Sequence, residues 1–253
     1  MDIVSYNVNG IRSAIGKGLL NWMESRKADV YCFQETKADK SQVDLSAFEL
    51  LGYNSYWFSA EKKGYSGVAI FTKHQPKQVR YGFGHADYDK EGRAVQVDFD
   101  GLSVMSVYIP SGTTGDERQA YKMNLLSFFD GFVAQRLEET PHLLLCGDYN
   151  ICHQPIDIHD PVSNKNSSGF LPEEREWLSR FMDGGFIDTF RHFNKDPHHY
   201  SWWTFRANAR ANNKGWRIDY CMAHQPLLPR LKDAGIHADV VHSDHCPIWV
   251  RVD

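Results

Sequence analysis

Eight short apolar runs rich in Val, Ile, Leu and Tyr recur along the chain: Ile3 to Tyr6, Val30 to Phe33, Val68 to Thr72, Ala94 to Phe99, Leu102 to Ile109, His142 to Cys146, Arg217 to Met222 and Cys246 to Val252. Runs of this length and composition predict strands buried in sheets. Between some of them lie segments of helical period, Gly18 to Arg26, Asp116 to Glu139 and Pro172 to Met182. Pro172 followed by Glu173 and Glu174 is a favourable helix start, because acidic groups complement the exposed N–H end. Strands alternate with helices, yet 94 to 99 and 102 to 109 adjoin across Asp100-Gly101, so the sheets are mixed and covered by helices: an α/β layered fold.

The 253 residues are 42% hydrophobic and 13% aromatic, enough for a large core. No linker or repeat divides them, so one domain over 1–253 is expected. The longest segment without periodicity, Ile151 to Gly169, is rich in Pro, Asp, Asn and Ser and reads as a functional loop. No apolar run reaches the length of a membrane span, and the opening MDIVSYNVNG lacks the pattern of a signal peptide, so a soluble cytoplasmic protein without membrane contact is expected. Five scattered cysteines, with no Cys-x-x-Cys pair, read as reduced core residues. With 28 Lys+Arg against 32 Asp+Glu the net charge is -4, which excludes a general polycation; any nucleic-acid contact needs a local basic patch.

Several apolar runs end in the same residue types. The first leads into Asn7 and Asn9, the second into Gln34 and Glu35, another into Asp148 and Asn150, and Ser243-Asp244-His245 precedes the last. Residues two apart on a strand face the same way, so Asn7 with Asn9, and Asp148 with Asn150, are expected to point into one cleft. Asn, Asp and Gly also end strands simply because they make turns. Taken together, Glu35, Asp148, Asp244 and the asparagines offer hard oxygen ligands and no thiols, which suits Mg2+ with Mn2+ as substitute. His245 has carboxylates beside it in the sequence and, at Asp219, farther off; oriented by one of them it could move protons.

Asn7-Val-Asn-Gly, Gln34-Glu-Thr-Lys, Gly64-Tyr-Ser-Gly-Val-Ala, Tyr108-Ile-Pro, Gly147-Asp-Tyr-Asn, Gly215-Trp-Arg-Ile-Asp-Tyr and Ser243-Asp-His-Cys-Pro-Ile occur in an order that resembles the exonuclease III family of apurinic/apyrimidinic endonucleases, from residue 2 to residue 252. The resemblance implies a single endonuclease/exonuclease/phosphatase-type domain folded as a four-layer α/β sandwich, two packed mixed sheets flanked by helices. It implies Mg2+-dependent hydrolysis of DNA on the 5' side of abasic sites, with 3'-to-5' exonuclease and 3'-phosphatase or phosphodiesterase activity in base excision repair. The implied partner is double-stranded DNA with abasic sites or blocked 3' ends, met by a monomer that is nucleoid-associated if bacterial.

Carried over by motif, Glu35 is the principal metal ligand with Asn7 and Asn9 beside it, and Asp148, Asn150, Asp244 and His245 complete the metal surroundings. Asp148 activates or orients water, held by Asn150; Tyr108 lies against the scissile phosphate; Asp219 fixes His245. Ser111 stands where many relatives carry Asn, and Asn9 where some carry Asp. A phosphodiester repels hydroxide, so its hydrolysis needs charge neutralisation, a positioned water and help for the leaving alkoxide, and this set supplies all three.

Trp202, Trp216 and Ile218 match a small apolar pocket for a flipped-out deoxyribose without its base, discriminating by shape. From Phe205 to Arg217 the chain carries Arg206, Arg210, Lys214 and Arg217 without an acid, expected to hold phosphates. Lys37, Lys62, Lys63, Tyr65, Ser111 and Asn164 are further expected DNA contacts. The rival readings are a phosphoesterase of the same fold acting on a non-DNA phosphodiester such as a lipid head group, an exonuclease with little action at abasic sites, and a catalytically silent binding module.

Overall fold

In the computed structural model, which describes residues 1–253, the chain forms two six-stranded sheets. In chain order the strands are β1 (Asp2–Asn7), β2 (Val30–Gln34), β3 (Asn54–Phe58), β4 (Val68–Thr72), β5 (Gln78–Tyr81), β6 (Ala94–Phe99), β7 (Leu102–Tyr108), β8 (Leu143–Asp148), β9 (Phe186–Asp188), β10 (Asp219–His224), β11 (Leu231–Ile236) and β12 (Ile248–Val252). One sheet runs β11-β12-β1-β2-β4-β3 and the other β5-β6-β7-β8-β10-β9. Each has one parallel pair, β1 with β2 and β7 with β8, at its centre; all other neighbours are antiparallel.

Strand alternation builds the layers. Ile3, Val30, Cys32, Val104, Leu144, Cys146 and Val250 point between the sheets and form their shared core. The intervening Val4, Tyr6, Tyr31 and Phe33 turn outward onto Ile11 and Ala14 of α1 (Ile11–Gly16), Leu19 and Met23 of α2 (Leu19–Arg26) and Phe48 of α3 (Ser46–Leu50). On the far side, Met105, Val107, Leu143 and Leu145 meet Tyr88 of α4 (Ala86–Asp89), Leu125 and Phe129 of α5 (Asp116–Glu139) and Trp177 and Phe181 of α6 (Pro172–Asp183). The result is the expected four layers, helix, sheet, sheet, helix. Each large side chain fully buried in them contributes about 1.5–3 kcal/mol.

The inner faces change character along their length. Beyond the Cys32 and Cys146 level, Gln34 donates to Ser5 Oγ at 3.2 Å and to Ser106 Oγ at 2.9 Å, bridging the sheets with amide and hydroxyl. One step further stand Asn7, Tyr108 and Asp148, at the C-terminal ends of both parallel pairs, where ligands gather in open α/β sheets. Gly147 sits opposite Val107, and a Cβ there would lie 1.8 Å from the Val107 carbonyl oxygen, so this approach of β8 to β7 requires glycine. The four strands without a sequence signal, β3, β5, β9 and β11, are the two edges of each sheet. All five cysteines are free and buried, and no helix is long and apolar enough to cross a membrane.

Candidate active site

The ends of β1 and β8 fold alike. Asn9 N donates to Asn7 Oδ1 at 3.0 Å, and Asn150 N donates to Asp148 Oδ1 at 2.8 Å. Each is a turn closed by the side chain two residues earlier, with Asn9 at φ 44° and Asn150 at φ 52°. The expectation that these pairs share a strand face is therefore corrected: the strands stop at Asn7 and Asp148, and Asn9 and Asn150 return to the cleft through left-handed turns. Glu35 follows β2 in the same conformation, φ 49°, costing roughly 1–2 kcal/mol for a residue that gains nothing from it locally.

These turns converge. Asn7 Nδ2 donates to Glu35 Oε1 at 2.9 Å and to Asp148 Oδ2 at 2.8 Å, bridging the two sheets' carboxylates. Its oxygen faces Asn9 N, so Asn7 stands here as a donor between carboxylates rather than as an oxygen ligand. Lys37 Nζ lies 2.8 Å from Glu35 Oε2 and also donates to Asn9 Oδ1, so it is partnered with the site's own residues. Asn9 Nδ2 donates to Asp244 Oδ1 at 2.8 Å, and Trp202 Nε1 to Asp244 Oδ2 at 3.1 Å.

His245 is buried between acids. Its Nδ1 is 2.9 Å from Asp219 Oδ2, and its Nε2 is 3.8 Å from Asp148 Oδ2. Asp219 Oδ2 also accepts from Ser201 Oγ at 2.6 Å. Burial opposes charge on the imidazole, but Asp219, Asp148 and Asp244 outweigh it and hold His245 well above the usual range. Burial, reinforced by Asp219 and Glu35, likewise raises the Asp148 carboxyl. Glu35, by contrast, is held below the usual carboxylate range despite its burial, chiefly by the Lys37 ammonium. Glu35, Asp148 and His245 each present one polar atom, all within 4.8 Å of one another, and the two carboxylates supply hard oxygens that fit a divalent cation.

Tyr108 is backed by a residue the sequence did not single out. Buried Arg93 stacks its guanidinium 4.7 Å from the Tyr108 ring centroid and donates to the Tyr108 carbonyl at 2.8 Å. The one available signal was a charge leading directly into the apolar run from Ala94. Arg93 and Arg118 also donate to the Tyr65 hydroxyl, while Glu91 pairs with both guanidiniums. Tyr65 therefore belongs to a network behind the site.

The site opens into a cleft of about 690 Å³. Glu35, Tyr108, Asp148, Asn150, Asp244 and His245 share it with Ser111, Trp202, Trp216 and Ile218. The two tryptophan rings meet edge to face, centroids 6.0 Å apart, over buried Cys152, Ile158, Phe170 and Ile218. Asn166, Ser167 and Ser168 line the cleft, whereas Asn164 donates to the His159 and Asp160 carbonyls within its own loop. The expected basic run divides. Arg206 and Lys214 are exposed, but Arg217 is buried on Asp157 at 2.8 Å and Asp188 at 2.6 Å, and Arg210 donates to the Ser243, Ala238 and Val240 carbonyls. The reading of Arg217 and Arg210 as phosphate holders is corrected accordingly: Arg217 ties the loop over residues 151–169 to β9, and Arg210 braces the segment that leads into Asp244.

Residues 4–245 match the model of the Endonuclease/Exonuclease/phosphatase family. An exodeoxyribonuclease of Bacillus subtilis (strain 168) is 43% identical over 255 residues, covering 100% of each chain. The DNA repair nuclease APEX1 of Danio rerio is 37% identical over 98% of this chain and 81% of its own. Among solved structures, the 3'-5' exonuclease NExo from Neisseria meningitidis superposes with a TM-score of 0.93 at 25% identity over 100% of each chain. An AP endonuclease from Archaeoglobus fulgidus gives 0.90 at 28% identity over 100% of this chain and 99% of its own. With its two-sheet sandwich and its relatives matched from end to end, the chain belongs to the Endonuclease/Exonuclease/phosphatase family, in the branch of exodeoxyribonucleases and apurinic/apyrimidinic endonucleases.

Proposed function

We propose that the chain is a Mg2+-dependent DNA-repair nuclease that cuts the phosphodiester 5' to an abasic site and also processes 3' ends, as an exonuclease and 3'-phosphatase or phosphodiesterase. The observation that carries this reading is the convergence of Glu35, Asp148 and His245 within 4.8 Å beside the Trp202–Trp216 pocket. Glu35 and Asp148 would hold the cation, which when bound neutralises the non-bridging phosphate oxygens and eases departure of the alkoxide.

The remaining work falls to the chain's own groups. Asn150 donates to Asp148 through both its backbone N–H and its side chain, fixing the carboxylate that orients the attacking water. Asp219 accepts from His245 Nδ1, so Nε2 faces Asp148 and the cleft, where it can give a proton to the phosphoryl or leaving oxygen. Tyr108, kept protonated by burial and by Glu35, offers a phenolic O–H to the phosphate. The tryptophan pocket takes the base-less deoxyribose, with the exposed Arg206 and Lys214 as phosphate contacts.

The test is one cleavage assay on an abasic duplex, a duplex with a recessed 3' end, the same end bearing a 3'-phosphate, and a phospholipid analogue, each with Mg2+ and with EDTA. Mg2+-dependent cutting 5' to the abasic site is expected. Trimming of the 3' end without abasic incision would replace this reading by an exonuclease, and cutting of the lipid analogue alone would replace it by a lipid phosphoesterase.

A further inference from the structure

Two charges lie entirely inside the fold where no apolar design needs them. Lys122 of α5 and Glu174 of α6 are both fully buried, with Nζ 2.6 Å from Oε1. Such a pair is a poor source of stability, because taking both charges out of water offsets their attraction, and an apolar pair of like volume often does as well. What distinguishes this one is where its remaining bonds go.

Lys122 Nζ donates to the Asn150 carbonyl at 2.8 Å. Asn150 is held at φ 52° and donates in turn to Asp148, as well as to the Ile109 carbonyl next to Tyr108. Glu174 Oε2 accepts from Gly169 N at 2.6 Å and Leu171 N at 3.0 Å. Gly169 is the far end of the loop that begins at Ile151: its carbonyl accepts from Cys152 N at 2.7 Å. A Cβ on Gly169 would lie 3.0 Å from the Trp216 ring and 3.2 Å from the Asn150 carbonyl oxygen, so this backbone forms the wall between the reacting carboxylate and the apolar pocket. Gln119 closes the set, donating to Glu174 Oε1 at 3.0 Å and accepting from Ser168 Oγ at 2.7 Å.

We propose that Lys122 and Glu174 are positioning residues for the nuclease reaction: the Lys122 ammonium fixes the Asn150 peptide, and through it the Asp148 carboxylate, while Glu174 fixes Gly169 against Trp216, so one ion pair sets the separation between the reacting group and the sugar pocket. This rests on the nuclease reading above. Neither side chain touches DNA or the cation; both act through Asn150 and Gly169. A displacement of about 1 Å at a reacting group can cost ~100-fold in rate, and that is the scale on which their loss is felt.

The experiment is steady-state cleavage of the abasic duplex in Mg2+ by wild type, K122R and K122M/E174Q, with near-UV circular dichroism on each to verify the fold. The double variant removes both charges and leaves Gly169 an acceptor, but withdraws the donor from Asn150. A drop in kcat of about tenfold or more, with KM changed less than threefold, and K122R within threefold of wild type, is the expected result. Should K122M/E174Q fold and retain kcat within threefold of wild type, the pair is merely structural and the proposal falls. Where K122M/E174Q does not fold, K122Q/E174Q carries the test: it leaves no unpaired buried charge, two amides can bond to each other, the shorter side chain at position 122 falls short of the Asn150 carbonyl, and the same loss is expected. Wild type that leaves every DNA substrate intact overturns the nuclease reading itself, an outcome separate from a wild type that cuts as well as its variants.

Discussion

The Asp219 carboxylate holds His245 Nδ1 at 2.9 Å while Ser201 holds the same carboxylate oxygen from behind at 2.6 Å. The imidazole therefore has one ring orientation, with Nε2 turned to the cleft. Asp219→Asn keeps the shape but offers an N–H to Nδ1 in competition with Ser201, so the ring loses its fixed proton. A fall in single-turnover incision of about 10²-fold or more is expected, in the range of positioned acid–base groups. A loss below threefold would remove Asp219 from the mechanism.

Glu91 predicts an acid-sensitive brace. Burial alone would raise its carboxyl, but Arg118 and Arg93 outweigh burial and lower it from 4.5 to about 2. A carboxyl depressed in the folded state stabilises above its unfolded value, and that contribution is lost as pH falls from about 4.5 toward about 2. With allowance for solvent screening, Glu91→Gln should cost about 1–2 kcal/mol at pH 7. Urea unfolding of both proteins from pH 7 downward should show the gap closing across that window; a gap independent of pH would contradict the assignment.

Trp216 separates recognition from metal binding. Its ring walls the pocket while the candidate ligands are Glu35 and Asp148. Trp216→Ala should raise KM for the abasic duplex roughly tenfold, as loss of about 1.4 kcal/mol of contact does, and leave Mn2+ affinity by calorimetry within about twofold. Equal losses in both measurements would count against a separate sugar pocket.

Gly147 is a packing prediction. Any Cβ meets the Val107 carbonyl, so Gly147→Ala forces β8 away from β7 beneath Asp148. A destabilisation of about 3 kcal/mol is expected from such overpacking, read as a lower urea midpoint with unchanged slope. A midpoint equal to wild type would show that β8 shifts freely.

What could be read in advance follows burial. The eight strands legible as apolar runs occupy the interior of the sheets, whereas Asn54–Phe58, Gln78–Tyr81, Phe186–Asp188 and Leu231–Ile236 are edges. An edge strand is covered on fewer sides and accepts Asn, Gln, Arg and Lys, so its hydrophobic signature fades. The site was legible where its members end interior strands, as Asn7, Glu35 and Asp148 do. It was not where a buried ion replaces an expected surface charge. Lys122 does recur with Leu125, Leu126 and Phe129 at helical spacing, which placed a cation on the buried stripe of α5; reading charge as exposure hid it. The Asp219–His245 contact joins elements 26 residues apart and had no local signal at all.

The pairing of β1 with β12 has a consequence for biosynthesis. The strand that carries Asn7 finds its second neighbour only in residues 248–252, and His245 precedes that neighbour by three positions. While the ribosome is still translating, β1 offers a naked flank that other chains could dock upon, and the imidazole has yet to be added. A polypeptide arrested before residue 245 thus lacks both the strand that covers this flank of β1 and the imidazole held by Asp219.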